Sequence, residues 1–152
     1  MRSYAFEVTA TIAAPAARLH AIVADYHVGH PSILPRPPFG ALVVEEGGVG
    51  HGTVIRFELT LFGRQHTTRA RITEPEPGRQ LDESDLAGHF VTSYLFEPLA
   101  PAATRLTLRT VARTRAGGIA GWIERLLTPR VLKPIYRREL AQLAMVVAAP
   151  PA

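Results

Sequence analysis

The chain has 152 residues, no cysteine, one tryptophan and a net charge of +4, from 17 Lys+Arg against 13 Asp+Glu. That length suits one domain, which on folding removes about 70% of its surface from water, and the lack of cysteine excludes disulfides, thiolate metal sites and cysteine nucleophiles. The basic residues are arginines apart from Lys133 and are scattered rather than clustered with aromatic readers, which argues against nucleic acid as a partner. Residues 1–12 alternate apolar and polar and offer no apolar run for secretion, and nowhere do about 18 apolar residues follow one another. A cytoplasmic protein is expected.

Along residues 4–12, Tyr4, Phe6, Val8, Ala10 and Ile12 share one face and Glu7, Thr9 and Thr11 the other, the period of a half-buried strand. Pro15 then suits the first turn of a helix whose stripe of Leu19, Ile22 and Val23 runs to Asp25. Prolines 31, 35, 37 and 38 make residues 26–38 a loop with at most one helical turn at 32–34.

Strands are expected at about residues 39–46, 53–62, 65–74, 80–86, 90–97 and 104–113. Gly47-Gly48, Phe62-Gly63-Arg64, Pro75-Glu76-Pro77-Gly78, Ala87-Gly88 and residues 98–103 separate them with hairpin turn chemistry. From Gly117-Gly118 to about Ala148, Trp122, Leu126, Leu132, Tyr136, Leu140, Leu143 and Val147 recur at helical steps. Pro129 and Pro134 should break or kink that stretch, so a short helix is expected first and a long one from about Arg130. The expected organisation is one domain over residues 1–148 and a frayed tail over 149–152.

This order defines an α+β fold: a curved antiparallel sheet of six to seven strands wrapped around a long C-terminal helix, with short helices after the first strand. Alternation assigns Ile55, Phe57, Leu59, Leu61, Thr68, Ala70, Ile72, Phe90, Thr92, Tyr94, Phe96, Leu106, Leu108, Thr110 and Ala112 to the inner face. Several are small or hydroxylated where a filled core would use branched apolar side chains, which favours a cavity.

Taken with the element order, Thr11-Ile12-Ala13-Ala14-Pro15-Ala16, Asp25, Leu34-Pro35, Gly50-His51-Gly52-Thr53, Ile72-Thr73-Glu74-Pro75-Glu76-Pro77-Gly78-Arg79 and Thr104-Arg105-Leu106-Thr107 resemble the polyketide cyclase/dehydrase branch of the START/Bet v1-like (SRPBCC) superfamily. The resemblance spans nearly the whole chain and implies a helix-grip fold with a pocket. The family includes aromatase/cyclases, lipid and quinone carriers and hormone receptors, so it implies no single reaction. No local motif places the family's catalytic arginine or tyrosine here, and Arg56 and Arg69 face outward by alternation.

The expected pocket wall comprises Ile55, Phe57, Leu59, Phe90, Tyr94, Phe96, Leu108, Trp122, Tyr136 and Leu140. Tyr94, His66 and Glu83 are the candidate acid–base groups if they face inward; against that, Glu83 reads equally as a solvated strand residue and His66 as an exposed hairpin neighbour. His27 and His30 have metal-like spacing, but without a carboxylate at ligand spacing they read as loop and surface histidines, and no metal or cofactor is expected. Asp25-Tyr26-His27 puts an acid, a phenol and an imidazole at the end of the first helix, where an acid–base pair is conceivable; the simpler reading has Asp25 bonding the loop and Tyr26 packing. Arg125, Arg130, Lys133, Arg137 and Arg138 make one side of the last helix basic; a solvated face explains them more simply than a membrane surface. Trp122, with Ile119 and Ile123, reads as core or pocket lid.

The first expectation is therefore non-catalytic binding or carriage of a hydrophobic small molecule, such as a lipid, an isoprenoid quinone or a polyketide-like aromatic. The alternatives are a cyclase or dehydratase using Tyr94 or His66, and a regulatory partner-binding domain. A cluster of inward Tyr, His and Glu within hydrogen-bond reach would favour the enzyme.

Overall fold

The computed structural model describes residues 2–150, so Met1 and the last two residues of the expected tail lie outside the described residues. Strand β1 is Ser3–Ile12, followed by helices α1, Ala16–Ala24, and α2, Gly29–Ile33. Strands β2 (Phe39–Glu46), β3 (Val54–Leu61), β4 (Arg64–Glu76), β5 (Gln80–Asp85), β6 (Phe90–Ala100) and β7 (Ala103–Arg113) follow, and helix α3 (Gly118–Ala148) closes the fold. The seven strands form one curved antiparallel sheet in the order β1-β7-β6-β5-β4-β3-β2.

Five successive hairpins make the run from β2 to β7, and their tight turns are the reason neighbours in sequence are neighbours in the sheet. At the β3–β4 turn Phe62 itself takes a left-handed conformation (φ 53°) beside Gly63 (φ 72°), and its ring is left exposed at the tip. β1 completes the sheet from the other end, paired with β7 from Ser3↔Arg113 to Ile12↔Thr104. Its alternation is observed as expected: Phe6, Val8 and Ile12 are buried and Glu7, Thr9 and Thr11 exposed.

Two expectations are corrected. The segment at 26–38 contains a five-residue helix, α2, placed earlier than the single turn expected at 32–34. Asp25 nucleates it by accepting hydrogen bonds from the backbone N–H of His27 (3.1 Å), Val28 (3.3 Å) and Gly29 (3.3 Å). α3 is one element of 31 residues that runs through both Pro129 and Pro134. A proline inside a helix costs about 3 kcal/mol and frees the carbonyl four residues earlier. At Pro134 that carbonyl belongs to Arg130, on the exposed side where water can bond it. The buried face of Ile135, Tyr136, Leu140, Leu143 and Val147 holds the helix against the sheet on either side of the defect.

α3 packs across β1 and against α1 and α2, and α1 also rests on β6. The filled core lies at this end of the molecule, where Leu19, Val23, Leu106, Leu108, Phe96, Leu140 and Leu143 are buried together. One polar strut crosses it: the Thr104 hydroxyl donates to the carbonyl of Ala14 at 2.8 Å in a fully buried position. Thr104→Val leaves that carbonyl unpaired, with an expected loss of about 1–2 kcal/mol in urea unfolding; an unchanged midpoint would show that water takes over the bond.

Candidate functional site

Beyond the filled core the sheet and α3 diverge around a cavity of about 600 Å³. Its position follows from where each strand runs out of bulky inner residues. On β6, Phe90, Thr92 and Tyr94 line it, and on the antiparallel neighbour β7, Thr110 and Ala112 do. One step further toward the core stand Phe96 and Leu108, which fill space rather than border it. On α3, Leu132, Tyr136 and Glu139 line the cavity, while Leu140, one residue on, belongs to the core. The floor therefore lies at the level of Tyr94 and Glu139.

The expected wall residues divide accordingly. Ile55, Phe57, Leu59, Phe90, Tyr94 and Tyr136 line the cavity. Phe96, Leu108 and Leu140 do not: Phe96 packs edge-on against His20 of α1 at 5.5 Å, and the other two are fully enclosed by core side chains. Trp122 is neither wall nor core, since it stands 58% exposed on the outer side of α3. His66 lines the cavity at its open end and is exposed, whereas Glu83 is 9% exposed and on the inner face, which corrects the solvated reading of that residue.

The open end carries Phe62, Gln65, Ala87, Arg113 and Arg115, all exposed, and the floor is polar and closed. At the floor the Tyr26 hydroxyl donates to Glu83 Oε2 at 2.6 Å, and His30 Nε2 lies 3.4 Å from the same oxygen. His30 is 2% exposed, which corrects its reading as a surface histidine; its ring stacks on Tyr26 with centroids 4.3 Å apart. His30 Nδ1 bonds the Val23 carbonyl at 2.8 Å, and a carbonyl only accepts, so Nδ1 carries hydrogen. Nε2 is then the ring nitrogen that faces Glu83 Oε2.

Across the floor the Tyr94 hydroxyl donates to Glu139 Oε1. Burial, followed by the nearby charge of Glu83, pushes the Glu139 carboxyl up to about 8 against the downward pull of the Tyr94 hydrogen bond. Glu139 is thus a neutral acid at pH 7. Burial, and then the facing carboxylates, hold Tyr26 and Tyr94 well above the usual phenol range. A third group, Tyr136, exchanges a hydrogen bond with Thr110 at 2.5 Å, and Thr110 with Thr92 at 2.8 Å. Burial raises Tyr136 to about 12, so it too stays protonated.

Among the described residues every buried side-chain nitrogen and oxygen has a partner, and among them no group of three His, Cys, Asp or Glu is placed to hold a metal ion. Glu139 was missed from sequence, where Tyr26 read more simply as a packing residue and His30 as a surface histidine. For Glu139 a signal existed: it is a carboxylate inside the apolar stripe of Tyr136, Leu140 and Leu143. The loop around Tyr26 and His30 has no periodicity from which burial could be read.

A sheet gripping a terminal helix around a cavity is the architecture of the START/Bet v1-like superfamily, to which this structure conforms. The chain belongs to the family described as polyketide cyclase / dehydrase and lipid transport, whose family model matches residues 4–148. Among solved structures, the NMR structure of the KanY protein superposes with a TM-score of 0.83 at 27% identity, over 98% of this chain and 100% of that one. The Zhui aromatase/cyclase from Streptomyces sp. R1128 gives 0.79 at 24% identity over 96% and 94%. A START superfamily protein from Mycobacterium smegmatis gives 0.70 at 15% over 93% and 98%. A search of curated proteins by sequence finds no match. No helix among the described residues is long and apolar enough to cross a membrane.

Proposed function

We propose that the protein binds an apolar, carbonyl-bearing small molecule in the cavity and transforms it by proton transfer, as a cyclase or dehydratase does. The observation that carries this reading is the neutral carboxyl of Glu139 on Tyr94, set opposite the Tyr26–Glu83–His30 group on one closed floor. Two acid–base groups held in different environments can act on one substrate as acid and base. Phe39, Phe57, Leu59 and Phe90 would bury the apolar body, at about 25 cal/mol per Å².

In the proposed step the Glu83–His30 pair takes a proton from the carbon next to the carbonyl. The C–H electron pair forms a C=C bond, and Glu139 supplies a proton to the carbonyl oxygen, giving the enol. Attack of that enol carbon on a second carbonyl would close a ring, the enol O–H proton returning to Glu139 and the new alkoxide taking up the proton held by the Glu83–His30 pair; loss of the resulting hydroxyl with a proton from the adjoining carbon would release water. Tyr136, at the end of the Thr110–Thr92 hydroxyl chain, would orient a further oxygen of the substrate. The family description and the aromatase/cyclase name of one structural relative fit this class.

The test uses 1-tetralone in D2O, with the α-proton signal followed by NMR. Wild-type protein should accelerate exchange saturably. Glu139→Gln and Tyr94→Phe should slow it about 100-fold while still binding the ketone. A bound ketone that exchanges no faster than in buffer would leave carriage, for which the apolar wall alone suffices, as the reading. Failure of 1-tetralone and other aryl ketones to bind would sink both.

A further inference from the structure

The outer side of α3 carries a pattern that the cavity does not need. Ile119, Trp122, Ile123 and Leu126 are all exposed, Ile119 at 79%. At about 100° per residue they fall within one sector of roughly 100°, and the same sector continued along the helix holds Arg130, Lys133 and Arg137. The ridge is therefore apolar in its first two turns and basic beyond.

α3 has two carboxylates, and neither is on this ridge. Glu139 is buried in the floor. Glu124 is folded under the helix start, where it accepts hydrogen bonds from the backbone N–H of Arg115 at 3.0 Å and Ala116 at 3.2 Å. Along the helix axis these apolar turns are level with the open end of the cavity, which Glu124 and Thr128 line from the opposite side of α3.

We propose that this ridge docks the protein on the surface of a bilayer rich in anionic lipid. Isoleucine, leucine and tryptophan side chains enter the headgroup–acyl boundary, and the arginines and Lys133 bond lipid phosphates beside them. A second copy of the chain fits the ridge poorly. A two-fold contact would set one carboxylate-free basic row against another or bury the apolar turns while leaving the charges stranded.

Trp122 is the single tryptophan of the chain, so its emission reports this surface alone. Full-length protein is mixed with phosphatidylcholine vesicles, with and without half phosphatidylglycerol, and followed by flotation and emission. Docking predicts co-flotation and a blue shift with the anionic vesicles, both reversed by about 0.5 M salt. Ile119→Ser/Ile123→Ser should unfold at the wild-type temperature yet lose the blue shift, and Arg130→Ser/Arg137→Ser should partition at least about tenfold less. No flotation on anionic vesicles, or equal binding to both kinds, overturns the proposal. So does a lipid-free dimer with Trp122 emission already blue, which would assign the ridge to a second copy, or binding of an acidic protein in preference to the vesicles.

Discussion

Between about pH 4.5 and pH 8 the protein is expected to lose about 5 kcal/mol of stability through Glu139 alone, and Glu139→Gln is expected to abolish that loss. The folded-state carboxyl titrates near 8 against an ordinary value of 4.5. Below 4.5 both states hold the proton and the group contributes no pH dependence. As pH rises toward 8 the unfolded chain gives up its proton while the folded chain keeps it, so unfolding is favoured by about 1.4 kcal/mol per pH unit. Above 8 both are ionised and the loss levels off. The amide of glutamine cannot ionise and can still accept from Tyr94, so the variant keeps the neutral packing at every pH. Urea unfolding of both proteins at about pH 5, 7 and 9 isolates the effect, because the other groups titrate alike in the two. Parallel curves would mean that water reaches Glu139 and relieves its burial.

Gly29→Ala should be nearly as costly, at about 3 kcal/mol, and should disable the floor as well. Gly29 opens α2 directly against α1, and a Cβ there would stand 2.3 Å from the Ile22 carbonyl oxygen, a backbone atom that cannot turn aside. Either α2 lifts away or α1 loses its last turn. Both movements pull His30 from the Val23 carbonyl and from Glu83, since His30 is the next residue and Val23 the next carbonyl. The expected results are a lowered melting temperature and altered imidazole resonances of His30 in NMR spectra. A variant with wild-type stability and an unshifted His30 signal would show that the α1–α2 contact is looser than its spacing indicates.

The strands were legible because each of the sheet's hairpins announces itself in glycine and proline, and because alternation along β1, β3, β6 and β7 has one consistent inner side. The cavity floor was less legible. Period-two alternation tells that Phe96 and Leu108 face inward as surely as Phe90 and Thr110 do, but not how far down the strand the helix comes to meet the sheet. That depth is set by α1 and α2, tertiary contacts with no local sequence signal. Trp122 misled for a related reason. It shares the helical spacing of Leu126, and periodicity alone does not say which side of a helix is covered when both sides carry apolar residues. The two prolines of α3 predicted a break from local cost, and packing on either side outweighed it.

The pairing of β1 with β7 ties the first ten described strand residues to a partner about 100 positions later in the chain. During synthesis, at about 5–20 residues per second, β1 is made first and must wait several seconds or more for β7. Until then Phe6, Val8 and Ile12 have no sheet to join, and the hairpins from β2 onward can assemble without them. The N-terminal strand thus cannot be zipped into place before β7 is made, and a ribosome stalled before Ala103 leaves it as an open, sticky edge for chaperones to cover.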